Sequence, residues 1–117
     1  MYPNIARLTL TEYSQLDREA EYSLSADFVA GELARTNPSI AILCSPNNPT
    51  GTPITNEVII AAYEAFDGIL IVDEAYAEFS SLESALGLLA GRPRLLISRT
   101  MSKAFAFAGA RVGYHAA

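Results

Sequence analysis

The chain carries a single lysine, Lys103, within the stretch Ser98-Arg-Thr-Met-Ser-Lys-Ala-Phe-Ala-Phe-Ala-Gly-Ala-Arg-Val-Gly-Tyr114. Every other fixed positive charge is one of seven arginines, and Arg111 lies eight positions beyond the lysine. Soluble proteins usually scatter lysines over their surface as solvating charges. Here the only amine sits among hydroxyls, small residues and phenylalanines. A primary amine that can be held neutral is what Schiff-base chemistry needs, and an apolar setting favours that form. The competing reading is one ordinary lysine in an arginine-biased protein.

A second ionisable group, Asp73, ends the apolar run in Ile69-Leu-Ile-Val-Asp-Glu-Ala-Tyr76. Apolar residues followed by Asp-Glu also mark the Mg²⁺-binding strand of P-loop ATPases. That reading needs a Gly-x-x-x-x-Gly-Lys-Ser/Thr loop upstream, and the sequence has none. A lone Asp73 would more simply cap a turn.

The elements that must position these groups alternate along the chain. Residues 26–36 place Phe28, Val29 and Leu33 at helical spacing, and Asn37-Pro38 stops them. Ile40 to Cys44 reads as a buried strand, followed by the loop Ser45-Pro-Asn-Asn-Pro-Thr-Gly-Thr-Pro53. Thr55 is an N-cap for a helix running to about Phe66. A second buried strand spans Gly68 to Val72, and a third Arg94 to Ser98, with a helix expected near 82–90 between them. The segment Ala110 to His115 is a candidate fourth strand. Before residue 25 the pattern suggests a helical turn to about Leu10 and a strand near Thr11–Leu16. Continuous apolar strands separated by helices indicate a mostly parallel sheet covered on both faces. Ligands in such sheets bind beyond the carboxyl ends of the strands. That rule selects Asn47-Asn48, Asp73-Glu74 and Thr100 to Lys103, three polar groups at the same end of three strands.

Bulk properties narrow the class. The length suits one domain, half the residues are hydrophobic and 18% are charged, so a buried core is expected rather than disorder. A net charge of −5 argues against nucleic-acid or anionic-membrane partners. One cysteine, Cys44, excludes an internal disulfide and fits a reducing compartment; in its apolar run it reads as a small core residue. No apolar run approaches a membrane span, no signal pattern opens the chain, and a cytoplasmic location is expected. His115, the only histidine, reads as incidental.

Taken together, Ser45-Pro-Asn-Asn-Pro-Thr-Gly51, Val72-Asp-Glu-Ala-Tyr76, Ser102-Lys-Ala-Phe105 and Arg111-Val-Gly113 resemble the ordered motif set of fold-type-I aminotransferases dependent on pyridoxal 5'-phosphate. The wording around these motifs, with Glu74, Glu78 and Phe79, is most similar to the histidinol-phosphate branch of that family. The resemblance implies a partial three-layer α/β/α large domain with its last strand open to an antiparallel placement. It also implies roles. Lys103 would bond covalently to the cofactor aldehyde and then serve as the base for the substrate α-proton. Asp73 would pair with the pyridine nitrogen, and Asn48 and Tyr76 would hydrogen-bond the ring's phenolic oxygen. Arg111, Ser102 and Thr100 would hold the phosphate. Structural alternatives are Tyr76 as a core aromatic, Arg111 as a surface charge and Ser102 as a helix cap.

Members of that family are several times longer than this chain. By resemblance, residues 1–117 would form part of the cofactor-binding large domain, without the ring-stacking aromatic, the substrate-carboxylate arginine or the small domain. The parent would be a homodimer exchanging an amino group between a small amino donor, histidinol phosphate, and a 2-oxo acid such as 2-oxoglutarate. Another aminotransferase, a threonine-phosphate decarboxylase and a non-catalytic remnant are the alternatives. Exposed edges and apolar faces lead to the expectation that the isolated chain is marginally stable or self-associates.

Overall fold

The computed structural model describes residues 1–117. Three parallel strands, β1 (Ile40–Cys44), β2 (Ile69–Asp73) and β3 (Leu95–Thr100), lie side by side in chain order. A fourth, β4 (Gly113–Ala116), runs antiparallel to β3, pairing Thr100 with Gly113 and Ser98 with His115. Parallel neighbours require crossovers, and a helix supplies the one from β1 to β2.

Helix α2 (Ala26–Thr36) begins where the Ser25 hydroxyl accepts from the Phe28 amide at 3.4 Å. It ends where Asn37 turns left-handed and donates its amide to Leu33, with Pro38 forbidding continuation. Helix α3 (Asn56–Glu64) starts on the Thr55 cap, as its sequence predicts. Both helices cover the same sheet face. Val29 and Leu33 of α2, and Val58, Ile59 and Ala62 of α3, pack with Ala41, Leu70, Val72, Leu95 and Ile97. The strand residues alternate, so burying this set turns Ile40, Ile42 and Ile69 to the opposite face, where they stay exposed.

The opposite face carries α1 (Tyr2–Leu8), which buries Ala6 and reaches Asp73 through Tyr2, so the fold is a partial three-layer one as its sequence implies. Seven residues make a helix about 10 Å long, which covers only part of that face. Two expectations are corrected. Residues 11–16 form no strand, because no ladder partner lies beside them and an unpaired extended segment has nothing to fix it. Instead Arg18 ties the segment down, donating to the Cys44 carbonyl at 2.7 Å and the Tyr22 carbonyl at 3.1 Å. The helix near 82–90 is a single 3-10 turn, Ala85–Leu88. Its leading amide is taken by the Glu74 carboxylate, and Gly87 and Gly91 disfavour extension.

The turn from α3 into β2 is tight. Arg94 closes it by donating to the carbonyls of Phe66 and Gly68 at 2.8 Å and of Tyr63 at 3.2 Å, while stacking on the Tyr63 ring. A methyl group on Gly68 would press on the Pro38 carbonyl and sit 2.6 Å from that of Ser39. Both obstacles are backbone and cannot swing away. Gly68→Ala is therefore expected to cost about 1–3 kcal/mol, read from urea unfolding. A loss below a few tenths would show that the strand entry is softer than the packing implies.

Candidate functional site

Residues from the carboxyl ends of β1, β2 and β3 meet at one edge of the sheet. The loop after β1 is pinned at both ends. The Ser45 amide donates to the Asp73 carbonyl and its buried hydroxyl accepts from Ile54, both at 2.9 Å. Within the loop, Asn47 donates its side-chain amide to the Thr50 hydroxyl at 2.8 Å and its carbonyl accepts from Gly51 at 2.8 Å. Gly51 has φ +73°, the left-handed region that glycine enters without cost. These ties present Asn48 outward, and its Nδ2 donates to the Tyr76 hydroxyl at 2.8 Å. An open cleft lies between this loop and Tyr76–Phe79, bounded by Pro46, Asn48, Gly51 and the two aromatic rings.

Asp73 closes β2 at the half-buried edge. Its Oδ1 accepts from the Ala75 amide at 3.1 Å and the Ser98 hydroxyl at 3.3 Å, and its Oδ2 accepts from the Tyr2 phenol. Burial first, then the Asp73 carboxylate, drives the Tyr2 phenol far above its ordinary value, so it stays a donor. Cys44 pairs with Asp73 in register. Burial and then the negative charge of Asp73 push its thiol up, which fits a packing residue rather than a nucleophile.

Glu74, a motif residue without a chemical role in the resemblance, has a structural one. It is buried, and its carboxylate accepts from Ser84, the Ala85 amide and both the Nε and an Nη of Arg99, the last at 2.7 Å. Glu78 adds a looser contact to Arg99 at 3.8 Å. Burial is the largest single influence on the Arg99 guanidinium and lowers it, but hydrogen bonding and charge attraction to Glu74 and Tyr114 together outweigh it and leave the group raised. The pair joins the end of β2 to the end of β3.

Beyond β3, residues 101–112 form a turn-rich loop. Thr100 accepts from the Ser102 amide at 3.2 Å, Lys103 accepts from the Ala106 amide, and Met101 both donates to Val112 and accepts from Phe107. The Lys103 ammonium lies 5.3 Å from the centre of the Tyr76 ring. Lys103 is exposed, contrary to the apolar setting its neighbours suggested, because Phe105 and Phe107 also face outward rather than closing over it. Thr100 pairs with Gly113, two residues beyond Arg111, whose guanidinium donates to the Ala108 carbonyl at 3.1 Å rather than to Ser102 or Thr100. The structure thus gathers Asn48, Tyr76 and Lys103 in contact, holds Asp73 three residues before Tyr76, and leaves Ser102 and Arg111 on two arms of one loop. His115 is exposed on β4, paired with Ser98.

The family model described as aminotransferase class I and II matches residues 1–117. A histidinol-phosphate aminotransferase from Paenarthrobacter aurescens is 53% identical over 122 residues, covering 100% of this chain and 33% of the relative. A histidinol-phosphate aminotransferase from Sinorhizobium meliloti, solved in complex with pyridoxal-5'-phosphate, superposes with a TM-score of 0.82 at 25% identity, over 97% of this chain and 32% of that one. The fold also matches an L-threonine-O-3-phosphate decarboxylase from Porphyromonas gingivalis with a TM-score of 0.76 at 24% identity, over 99% of this chain and 34% of that one. The chain spans about a third of the length of the curated relatives it matches.

Proposed function

The chain belongs to the class I and II aminotransferases, and on that premise we propose that it forms part of the cofactor-binding large domain of a histidinol-phosphate aminotransferase. The reaction is amino-group exchange between histidinol phosphate and 2-oxoglutarate, as in histidine biosynthesis. The observation that carries the reading is Tyr76, three residues beyond Asp73, hydrogen-bonded to Asn48 in the cleft and faced by the Lys103 ammonium.

The donor set fits pyridoxal phosphate. Asp73 offers a carboxylate already aimed by three donors, suited to accept a ring N–H proton. Asn48 and Tyr76, bonded to each other, offer an amide and a phenol to one oxygen and so fix a ring's tilt. Thr100, Ser102 and Arg111 supply two hydroxyls and a guanidinium fork for a phosphate dianion once Arg111 leaves the Ala108 carbonyl. When bound, the cofactor supplies an electron sink for breaking the substrate's Cα–H bond. The Lys103 Nζ would hold the cofactor covalently and, once the substrate's own amine has displaced it, the freed amine would take that α-proton as general base.

Lys103 is exposed in these 117 residues, so its enclosure falls to segments outside them and to a second subunit of a homodimer. A single cysteine fits a cytoplasmic setting, and no helix is long and apolar enough to cross a membrane. The test is an assay of the full-length protein with pyridoxal phosphate. Histidinol phosphate is expected to drive glutamate formation from 2-oxoglutarate at about 1–10³ per second. Carbon dioxide release from phosphothreonine as the sole activity would replace this reading with decarboxylation, and no turnover of either substrate would favour a non-catalytic remnant.

A further inference from the structure

We infer that Tyr2 is a positioning residue for Asp73, its phenol holding one carboxylate oxygen so that the acceptor's direction is set before any ligand arrives. The inference rests on the proposed pairing of Asp73 with the cofactor's ring nitrogen. It is carried by a contact between residues 71 positions apart, made by the first residue of α1 with the last of β2.

A carboxylate on a strand end is free to rotate unless both oxygens are held. Here three separate elements hold it. Oδ1 is fixed from the following turn by Ala75 and from β3 by Ser98, and Oδ2 is fixed from α1 by Tyr2. An ionised carboxylate accepts about four hydrogen bonds, so about one acceptor direction is left over. Removing the phenol would free Oδ2, the oxygen with no other partner. The hydroxyl is a dependable donor, since burial and then the Asp73 carboxylate keep it protonated. Its support is also rigid. Pro3 sets the first turn of α1, and Ala6 is buried beneath it. A preset acceptor spends no reorganisation at the moment a charge develops opposite it, which is the advantage of fixing it from three sides.

The experiment is a double-mutant cycle in the full-length protein, reading the pyridoxal phosphate dissociation constant, the pH midpoint of the cofactor's absorbance and the melting point without cofactor. Tyr2→Phe is expected to weaken binding by about ten- to a hundredfold, the loss of one hydrogen bond to a charged group, and to move the absorbance midpoint. Asp73→Asn should weaken it further. In the Asp73→Asn background, Tyr2→Phe should add less than about twofold, because its partner's charge is already gone. Equal losses from Tyr2→Phe in both backgrounds, tracking a lower melting point, would mean the tyrosine only supports the fold and would overturn the inference. Unchanged binding in Tyr2→Phe with strong loss in Asp73→Asn would overturn it while leaving the Asp73 role intact. Unchanged binding in Asp73→Asn would overturn both.

Discussion

Lys103→Ala in the full-length protein is expected to abolish borohydride-fixable attachment of pyridoxal phosphate and to lower amino transfer by at least about 10⁴-fold. The magnitude follows from asking one amine to do two jobs. General acid–base catalysis alone contributes up to about 10⁴-fold, and loss of the covalent anchor adds to it. No other side chain of these 117 residues offers a second amine, since they hold a single lysine. Added small amines should restore part of the rate by supplying the missing base, whereas Lys103→Arg should not. The substitution should leave the fold unaltered, because the side chain is exposed and anchors nothing in the core. Mass spectrometry after borohydride reduction places the label. A tag that persists in Lys103→Ala at another residue would remove the lysine from the mechanism.

How much of this was legible in the residues depends on what kind of information each feature used. The three parallel strands were readable because burial on the sheet interior leaves continuous apolar runs, and Thr55 and Asn37-Pro38 mark helix ends by local chemistry. Asn48, Asp73, Tyr76 and Lys103 are selected by motif and by the rule about strand ends, and the structure sets Asn48 and Lys103 against Tyr76, with Asp73 three residues earlier at the end of β2. The failures all involve contacts distant in sequence. Tyr2 lies in a stretch with no strong pattern, and nothing local points it at Asp73. Residues 82–90 look helical only while Glu74, upstream of them, is ignored; its carboxylate takes the Ser84 hydroxyl and the Ala85 amide and so fixes the start of the turn at Ala85. The exposure of Lys103 was missed because phenylalanines near in sequence need not pack near in space. Once Asp73 pairs with Ser98, the next residues on each strand, Glu74 and Arg99, must be neighbours of opposite charge.

That pair yields the second large effect. Glu74 is buried and Arg99 nearly so, and the guanidinium meets one carboxylate oxygen through two nitrogens at 3.0 and 2.7 Å. Removing one partner strands the other. In Arg99→Ala, Glu74 would keep only Ser84 and the Ala85 amide to offset a buried negative charge. Breaking such a pair costs about 3–5 kcal/mol, and the lower end applies because the guanidinium retains some contact with water. Replacing both partners with apolar residues, as in Glu74→Met with Arg99→Leu, should recover most of that loss, since neither charge is then left unpaired. Activity should separate from stability. Glu74 directly follows Asp73, and Arg99 directly precedes Thr100, so the pair fixes the spacing between the strand end bearing the carboxylate and the loop bearing Lys103. The double apolar variant is therefore expected to melt near the wild type and still turn over more slowly. Arg99→Lys should recover little of the rate, because a single ammonium cannot reproduce the two-nitrogen fork. Chemical unfolding and steady-state rates on the same preparations decide the matter. A double variant with wild-type turnover would reduce the pair to a structural tie, and an Arg99→Ala variant within about 0.5 kcal/mol of wild type would show that water already reaches Glu74.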